Sequence, residues 1–458
     1  MIKRTLQQIQ NMIKTENVQD DYQEIMIDGV SIDSRKIQPG NLFIPFKGEH
    51  SDGHRFVEDA LQKGAAAALW QKDVPNPPLH LPVLIVEDTL TALQELARSY
   101  RNELDVKVVG ITGSNGKTTV KDMTANLLAL QYKVKKTEGN FNNHIGMPLT
   151  ILSLDEDTEI AVLEMGMSGK GEIEFLTRLA RPNVTVITNI GEAHLQDLGS
   201  RDGIADAKLE IIQGLQEHGL IVYMGDEVLL KERLANYDGN AQVKTFGRSR
   251  QNDLYPVEIS GSQSGSRFKV NDNDVEFDLP VLGAHNVLNA LSAMLVAQYF
   301  NIPFEKMNDG FSHLKLTNMR MELVEGANGE RVINDAYNAS PTSMRAAIDL
   351  ISNLPDFNQK IVVLGDMLEL GEQENNFHYE IGKGLDPEKV NYVFTYGPLA
   401  THIAEGAKTN FPNERVLSFS DKTALIEELK KLTDKETLIL VKASRGMKLE
   451  EVVIALEK

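Results

Sequence analysis

Residues 108–119 read VVGITGSNGKTT. An apolar strand end runs into a glycine-rich turn, and Lys117 and two threonines open a helix. Gly110, Gly113 and Gly116 let the backbone turn tightly and bring its N–H groups close to an anion. The following helix presents unpaired N–H groups and the positive end of its dipole. Lys117, expected as a surface-loop cation, supplies a point charge for the outer phosphates, and Thr118 a hydroxyl suited to Mg²⁺. With Ser114, Asn115 and Thr119 the stretch reads as a phosphate cradle. The strict Walker A spacing would place its first glycine at 111, where Ile111 stands.

Outward from the loop, apolar strands alternate with helices, the signature of a parallel sheet covered on both faces. Strands are expected at 107–112, 160–165, 184–189 and 220–224. Helices are expected at 117–130, 172–180, 202–213 and 287–300. Residues 240–280 read as a β-rich insertion, and 301–316 close this domain. Upstream lies a small α/β unit with strand-like 25–32, 41–45 and 83–87, and helical spacing over 56–64 and 89–104. Downstream of about 314 a second α/β pattern begins, with strands at 330–335, 360–365, 390–396, 416–418 and 437–442. It has neither a phosphate-loop glycine cluster nor GxGxxG, which suggests a partner domain closing over a nucleotide held elsewhere. The expected fold is α/β in three domains: a small substrate domain (1–104), a central phosphate-loop ATPase domain (105–313) and a Rossmann-like domain (314–458).

At 458 residues the chain is too long for one core. Its composition, 41% hydrophobic and 25% charged, is that of a globular protein. A formal charge of −19 argues against a nucleic-acid partner. Cysteine is absent, so disulfide and thiol chemistry are excluded. The start, MIKRTLQQIQNMIK, lacks the apolar core of a secretory signal. No apolar run approaches the ~20 residues that span a bilayer, so no membrane insertion is expected. These features together suggest a cytoplasmic enzyme.

Several other residues stand where chemistry is expected. Glu164 ends the apolar run AVLEMGM, in the crevice where open α/β sheets bind ligands, and could hold Mg²⁺. His194 follows the next strand in VTVITNIGEAH and ends near the same crevice. Lys208, in IADAKLEII, reads by itself as a surface lysine flanked by Asp206 and Glu210. Asn286 and Asn289 lie one helical turn apart after Gly283, where two amides could read an adenine edge or serve as a cap and a tolerated polar residue. Arg320 could clamp phosphates. Asp335, at a strand end, could accept from ribose hydroxyls. Lys442, Ser444 and Arg445 again end a strand with cationic groups, a pattern that a surface turn also explains.

Together these stretches resemble the Mur ligase family, the ATP-dependent amide-bond ligases of peptidoglycan precursor synthesis. GITGSNGKTT, LEMGM, TNIGEAH, the AxxK of IADAKLE, the HNxxNA of LGAHNVLNAL, and KASRG occur in family order across the whole chain. KASRG departs from the more usual KGSR, placing Ala443 where glycine is common. INDAYNASPTSM, VLGDMLELGEQE, EGNFNNHIGMP and DSRKIQPGNLFIPFKGEHSDGHRF are similar to the type that adds D-alanyl-D-alanine to UDP-N-acetylmuramoyl-tripeptide. No DNPR-type motif of the stem-lysine or diaminopimelate-adding type is present.

The resemblance implies residue roles. Lys117 and Thr118 would bind the outer phosphates of ATP and a first Mg²⁺, and Glu164 and His194 the metals of two sites. Lys208 would be the family's carbamylated lysine. Asn286, Asn289, Asp335, Tyr337 and Asn338 would enclose adenine and ribose, with Arg320 on the phosphates. Asp33, Ser34 and Arg35 would approach the uridine nucleotide. Asn142, Asn143 and His144 would face the peptide, unless they are a plain turn. Lys442, Ser444 and Arg445 would line the substrate side, and a monomer is expected. Competing readings are another amide ligase of the superfamily, including a folylpolyglutamate-type enzyme, an NTPase switch without covalent product, and a catalytically inert scaffold.

Overall fold

The computed structural model describes residues 1–48, 51–262, 265–355 and 357–458. A six-stranded parallel sheet carries the phosphate loop, in the order Gln242–Phe246, Leu220–Met224, Val184–Ile187, Lys107–Thr112, Ile160–Glu164, Val134–Lys136. After Lys107–Thr112 the chain goes to one edge and returns, then crosses to the other side at Val184–Ile187. The phosphate loop therefore follows the strand at the topological switch point, with the ends of Ile160–Glu164 and Val184–Ile187 on either side of it.

Successive residues of each strand enter opposite cores, as the period of two demands. Val108, Leu163 and Ile187 pack with Ile173 and Leu176 of the helix Glu172–Ala180. Val109, Val162 and Val186 pack on the other face with Val120 and Met123 of the helix Lys117–Leu128 and Leu291 of Ala284–Tyr299. All of these side chains are buried, and each such burial contributes about 1.5–3 kcal/mol. Strands buried at every position, as IAVLE and VTVI are, are thus the mark of a sheet covered twice.

The first unit has a four-stranded parallel sheet of Val30–Ser31, Leu42–Phe43, Ala67–Gln71 and Val83–Val86. The single strand expected over 25–32 is two: Met26–Asp28 pairs antiparallel with Lys3–Thr5, and Val30–Ser31 joins the parallel sheet. Gly29 at φ 82 makes the turn between them, a conformation that a side chain resists. Asp88 caps the helix Thr89–Glu103 by accepting from Thr91 N.

The third unit is a six-stranded sheet ordered Glu322–Glu325, Arg331–Asp335, Thr437–Lys442, Gln359–Gly365, Tyr392–Tyr396, Val416–Phe419. Only its Glu322–Glu325 edge pairs antiparallel among the described residues. Asp335 and Lys442 are register partners at the ends of adjacent parallel strands. Within 240–280, Pro256–Gly261, Ser266–Val270 and Glu276–Leu279 form an antiparallel sheet. The helix expected over 202–213 is α over Arg201–Leu209 and tightens to a 3₁₀ turn over Glu210–Gly214. Among the described residues no helix is long and apolar enough to cross a membrane.

Candidate active site

The phosphate loop is held from behind by the neighbouring strand end. Asn189 Oδ1 accepts from Asn115 N at 3.0 Å, and Asn189 Nδ2 donates to Asn115 O at 3.0 Å. Ser114 Oγ accepts from Gly191 N at 2.8 Å. Gly113 has φ 147, and a Cβ there would stand 1.8 Å from Thr188 Oγ1. Gly116 has φ 82, and its Cβ would come 2.7 Å from Asn289 Oδ1. Both glycines are therefore required by close approach as well as by backbone conformation.

Lys117 is not the surface cation expected from sequence. It folds back into the loop, with Nζ donating to Gly113 O at 2.7 Å. Burial is the largest influence on its ammonium and lowers its pKa, Glu164 opposing and Arg320 adding to the shift. Thr118 is buried, and its Oγ1 lies 3.4 Å from the Arg320 guanidinium. Arg320 comes from the linker between the second and third units and stacks on the Tyr337 ring at 4.1 Å.

Glu164 is 2% exposed. Its Oε1 accepts from Asn142 Nδ2 at 2.8 Å, while Oε2 is buried without a hydrogen-bond partner. Asn115 Nδ2 and Arg320 Nε are unpartnered in the same way. Buried polar atoms left open are costly, so their gathering around the phosphate loop marks a ligand's place. Glu164 Oε2 and the Thr118 hydroxyl are hard oxygen donors of the kind Mg²⁺ takes. Among the described residues no three His, Cys, Asp or Glu side chains form a metal cage.

Lys208 overturns the bare reading of a surface lysine, being 2% exposed. Its flanking acids face elsewhere: Asp206 accepts from Arg233 Nε, and Glu210 from the Gly171 and Glu174 amides. Burial drives its pKa well below the ordinary lysine value, and the cation Lys117 adds to the effect. His194 sits at φ 64, with Nδ1 2.8 Å from Glu369 Oε2 of the third unit. Burial lowers its pKa; Glu369 opposes the shift, and Lys117 and Lys208 add to it. Lys117, Glu164, His194 and Lys208 thus form one electrostatic neighbourhood.

A cavity beside this neighbourhood is lined by the phosphate loop, Asn286, Asn289, Arg320, Asp335, Asn338 and Lys442. Lys442 and Asp335 form a buried ion pair, and Lys442 also donates to Asn338 O at 3.0 Å. Asn289 Nδ2 donates to Asn286 Oδ1 at 2.9 Å, and Asn286 Nδ2 to Leu282 O. The amide pair is therefore braced against Gly116, with part of its bonding capacity already used. Ser444 Oγ accepts from Leu368 N and braces a loop, and Arg445 pairs with Glu450 outside the cavity.

Other expected residues lie apart. Asp33, Ser34 and Arg35 are on a loop of the first unit, where the Arg35 guanidinium holds the Asp33 carboxyl below the usual carboxylate range. Of the stretch 142–144, only Asn142 reaches Glu164; Asn143 Oδ1 accepts from Ile145 N and Gly146 N, and His144 is exposed. Sequence reading missed Ser340, whose Oγ lies 3.3 Å from Asn115 Oδ1. It also missed Thr342, which donates to Glu192 Oε2 at 2.7 Å. The S-P-T-S capping pattern signalled only a helix start, which Ser340 also supplies.

This arrangement has relatives. Residues 26–101 match the Mur ligase family, catalytic domain; 111–297 the Mur ligase middle domain; and 319–445 the Mur ligase, glutamate ligase domain. The chain is 52% identical over 453 residues to a UDP-N-acetylmuramoyl-tripeptide--D-alanyl-D-alanine ligase of Bacillus subtilis, covering 99% of this chain and 98% of that one. It superposes on MurF from Acinetobacter baumannii with a TM-score of 0.89 at 28% identity, covering 100% of this chain and 99% of that chain. It superposes on the MurF ligase from Thermotoga maritima in complex with ADP with a TM-score of 0.81 at 29% identity, covering 94% and 97%. The motifs that organise the phosphate loop, the sheet ends beside it and the third unit therefore share one inheritance, and the chain belongs to the Mur ligase family.

Proposed function

We infer that this protein is an ATP-dependent peptide ligase that joins D-alanyl-D-alanine to UDP-N-acetylmuramoyl-tripeptide, giving the UDP-muramoyl-pentapeptide precursor of peptidoglycan. The observation that carries the reading is the meeting of the phosphate loop with Arg320, Asp335 and Lys442 in one cavity, in a chain so close over its length to a ligase of that specificity.

A peptide carboxylate is a poor electrophile, so its oxygen first takes the γ-phosphoryl group of ATP, releasing ADP and leaving an acyl phosphate. The free amine of D-alanyl-D-alanine then attacks the acyl carbon, an amide forms, and phosphate departs with the proton lost from nitrogen. Lys117 and Arg320 hold the phosphoryl oxygens and offset their charge. Thr118 and Glu164 would hold Mg²⁺, which would supply further neutralisation of charge on the transferring group. Asp335 accepts from ribose, with Asn286, Asn289, Tyr337 and Asn338 around the base. Contacts of Ser340, Thr342 and Glu369 with the central unit keep water from the acyl phosphate.

Lys208 carries a carbamate on this reading. Its burial beside Lys117 favours the neutral amine, which adds CO₂ as an N–C bond forms and a proton leaves. The anion so made would balance Lys117 and, with His194, would hold a second Mg²⁺ through oxygen and nitrogen donors. Residues 1–104 serve the UDP moiety, with Asp33, Ser34 and Arg35 approaching it, 105–313 the ATP, and 314–458 the incoming amine. Asn142 places the peptide against Glu164, and the ligase works as a monomer.

Phosphate release tests the function. One phosphate should appear per peptide joined, and only with ATP, the UDP-tripeptide and D-alanyl-D-alanine all present. ATP hydrolysis independent of the UDP-tripeptide would favour an NTPase switch instead.

A further inference from the structure

Asp122 is a fully buried carboxylate one turn beyond Thr118, on the helix that the phosphate loop opens. A lone buried charge is costly, so its partners say what it is kept for. Its Oδ1 accepts from Lys136 Nζ at 2.7 Å and lies 3.4 Å from Lys121 Nζ. Its Oδ2 accepts twice from one distant residue: from Thr317 N at 2.8 Å and from Thr317 Oγ1 at 2.9 Å. Thr317 belongs to the linker between the helix Phe304–Ser312 and the strand Glu322–Glu325, where the second unit gives way to the third.

The linker beyond Thr317 is bent in a costly way. Met319 and Met321 both take left-handed φ, 61 and 52, on either side of Arg320. Their amides are held by carboxylates, Met319 N by Glu322 Oε2 at 3.0 Å and Met321 N by Asp335 Oδ1 at 3.3 Å. The double bend turns Arg320 back toward Thr118 Oγ1. The chain therefore leaves the phosphate-loop helix at Asp122 and returns to it at Thr118, with Thr317 and Arg320 as the two rungs.

We propose that Asp122 is a positioning residue for ATP: by pinning Thr317 to the phosphate-loop helix it fixes the register of the linker and so the place of Arg320 over the phosphates. Asp122 itself touches no substrate, and the inference rests on the reading of Arg320 as a phosphate contact. A hydroxyl lost at Thr317 leaves only its amide on Asp122, loosening the register of the linker while the core on either side stays packed.

Binding of a non-hydrolysable ATP analogue, measured by calorimetry beside steady-state kinetics, tests this. Thr317→Val, which keeps shape and amide but removes the hydroxyl, should weaken the analogue roughly tenfold, the scale of one hydrogen bond to a charged group. KM for the UDP-tripeptide and the dipeptide should stay unchanged, and Thr317→Ser should restore wild-type binding. Asp122→Asn should act in the same direction; if it fails to fold, Thr317→Val carries the test. Arg320→Ala should weaken binding at least as much, and Thr317→Val added to it should cost nothing further. Wild-type binding by Arg320→Ala overturns the Arg320 reading and the inference with it. Weak binding by Arg320→Ala with normal binding by Thr317→Val, or additive losses in the double variant, overturns the inference alone.

Discussion

Glu369 Oε2 sits 2.8 Å from His194 Nδ1, and both residues are in left-handed conformation on loops from different sheets, at φ 66 and 64. The loops touch along their backbones too, with Gln196 N donating to Glu369 O at 3.2 Å. The third unit thus places a carboxylate beside the ring of His194, at ion-pair distance although Nδ1 makes no hydrogen bond. On the proposed reading of His194 as a metal ligand, a carboxylate beside its other nitrogen raises the basicity of the ring. Glu369→Ala should lower turnover by roughly tenfold or more and raise the Mg²⁺ concentration needed for half-maximal rate. Thermal unfolding should barely move, since the pair is 23% and 57% exposed and such pairs contribute little. Unchanged turnover and Mg²⁺ dependence would make the contact a passive one.

Lys117→Ala should reduce turnover by on the order of 10²-fold or more, the cost of losing one well-placed charge donor. Among the described residues its ammonium bonds only to carbonyls of its own loop, so the melting temperature should stay close to wild type. Turnover and unfolding should be measured on the same preparation. Retained turnover removes the phosphate-loop assignment.

Lys208→Ala should lose most activity, and acetate or formate should restore part of it by filling the vacated anionic place beside Lys117. Lys208→Arg keeps a cation but cannot form the carbamate, so it should stay inactive with or without added carboxylate. Normal turnover by Lys208→Arg would rule out the carbamate.

His285, in the first turn of Ala284–Tyr299, is pushed down to about 4, chiefly by burial, with Lys442 and Arg248 adding to the shift and Asp335 opposing it. In the unfolded chain it titrates near ~6.5. As pH falls below ~6.5 the unfolded state takes up the proton first, so the folded state loses stability down to about 4. His285→Gln cannot titrate there. Melting curves from pH 7 to 4.5 should show wild type falling faster than the variant. Parallel curves would mean that His285 is as solvated in the folded state as in the unfolded one.

Legibility followed the range of the interaction. The turn at 113–119 was readable because its conformation is local: glycine for close approach, lysine and threonine at a helix start. Glu164 was readable because a carboxylate ending an apolar run must face the crevice. Lys208 was misread by its neighbours, because Asp206 and Glu210 are spent on Arg233 and on backbone amides across the fold. The break at Gly29 was hidden inside an uninterrupted strand-like stretch, since one glycine does not announce a change of sheet. The Asp122–Thr317 contact spans 195 residues, and no local pattern carries information at that separation. Ser340 and Glu369 likewise acquire their partners only when the third unit meets the second.

The central claim is the identity of the amine. Phosphate release should be measured with ATP, the UDP-tripeptide and, in turn, D-alanyl-D-alanine, L-alanyl-L-alanine, L-lysine, diaminopimelate and glutamate, with the product weighed by mass spectrometry. The account predicts rapid release and a pentapeptide product with D-alanyl-D-alanine, and rates near background with every single amino acid. An equal or faster rate with any single amino acid would contradict it.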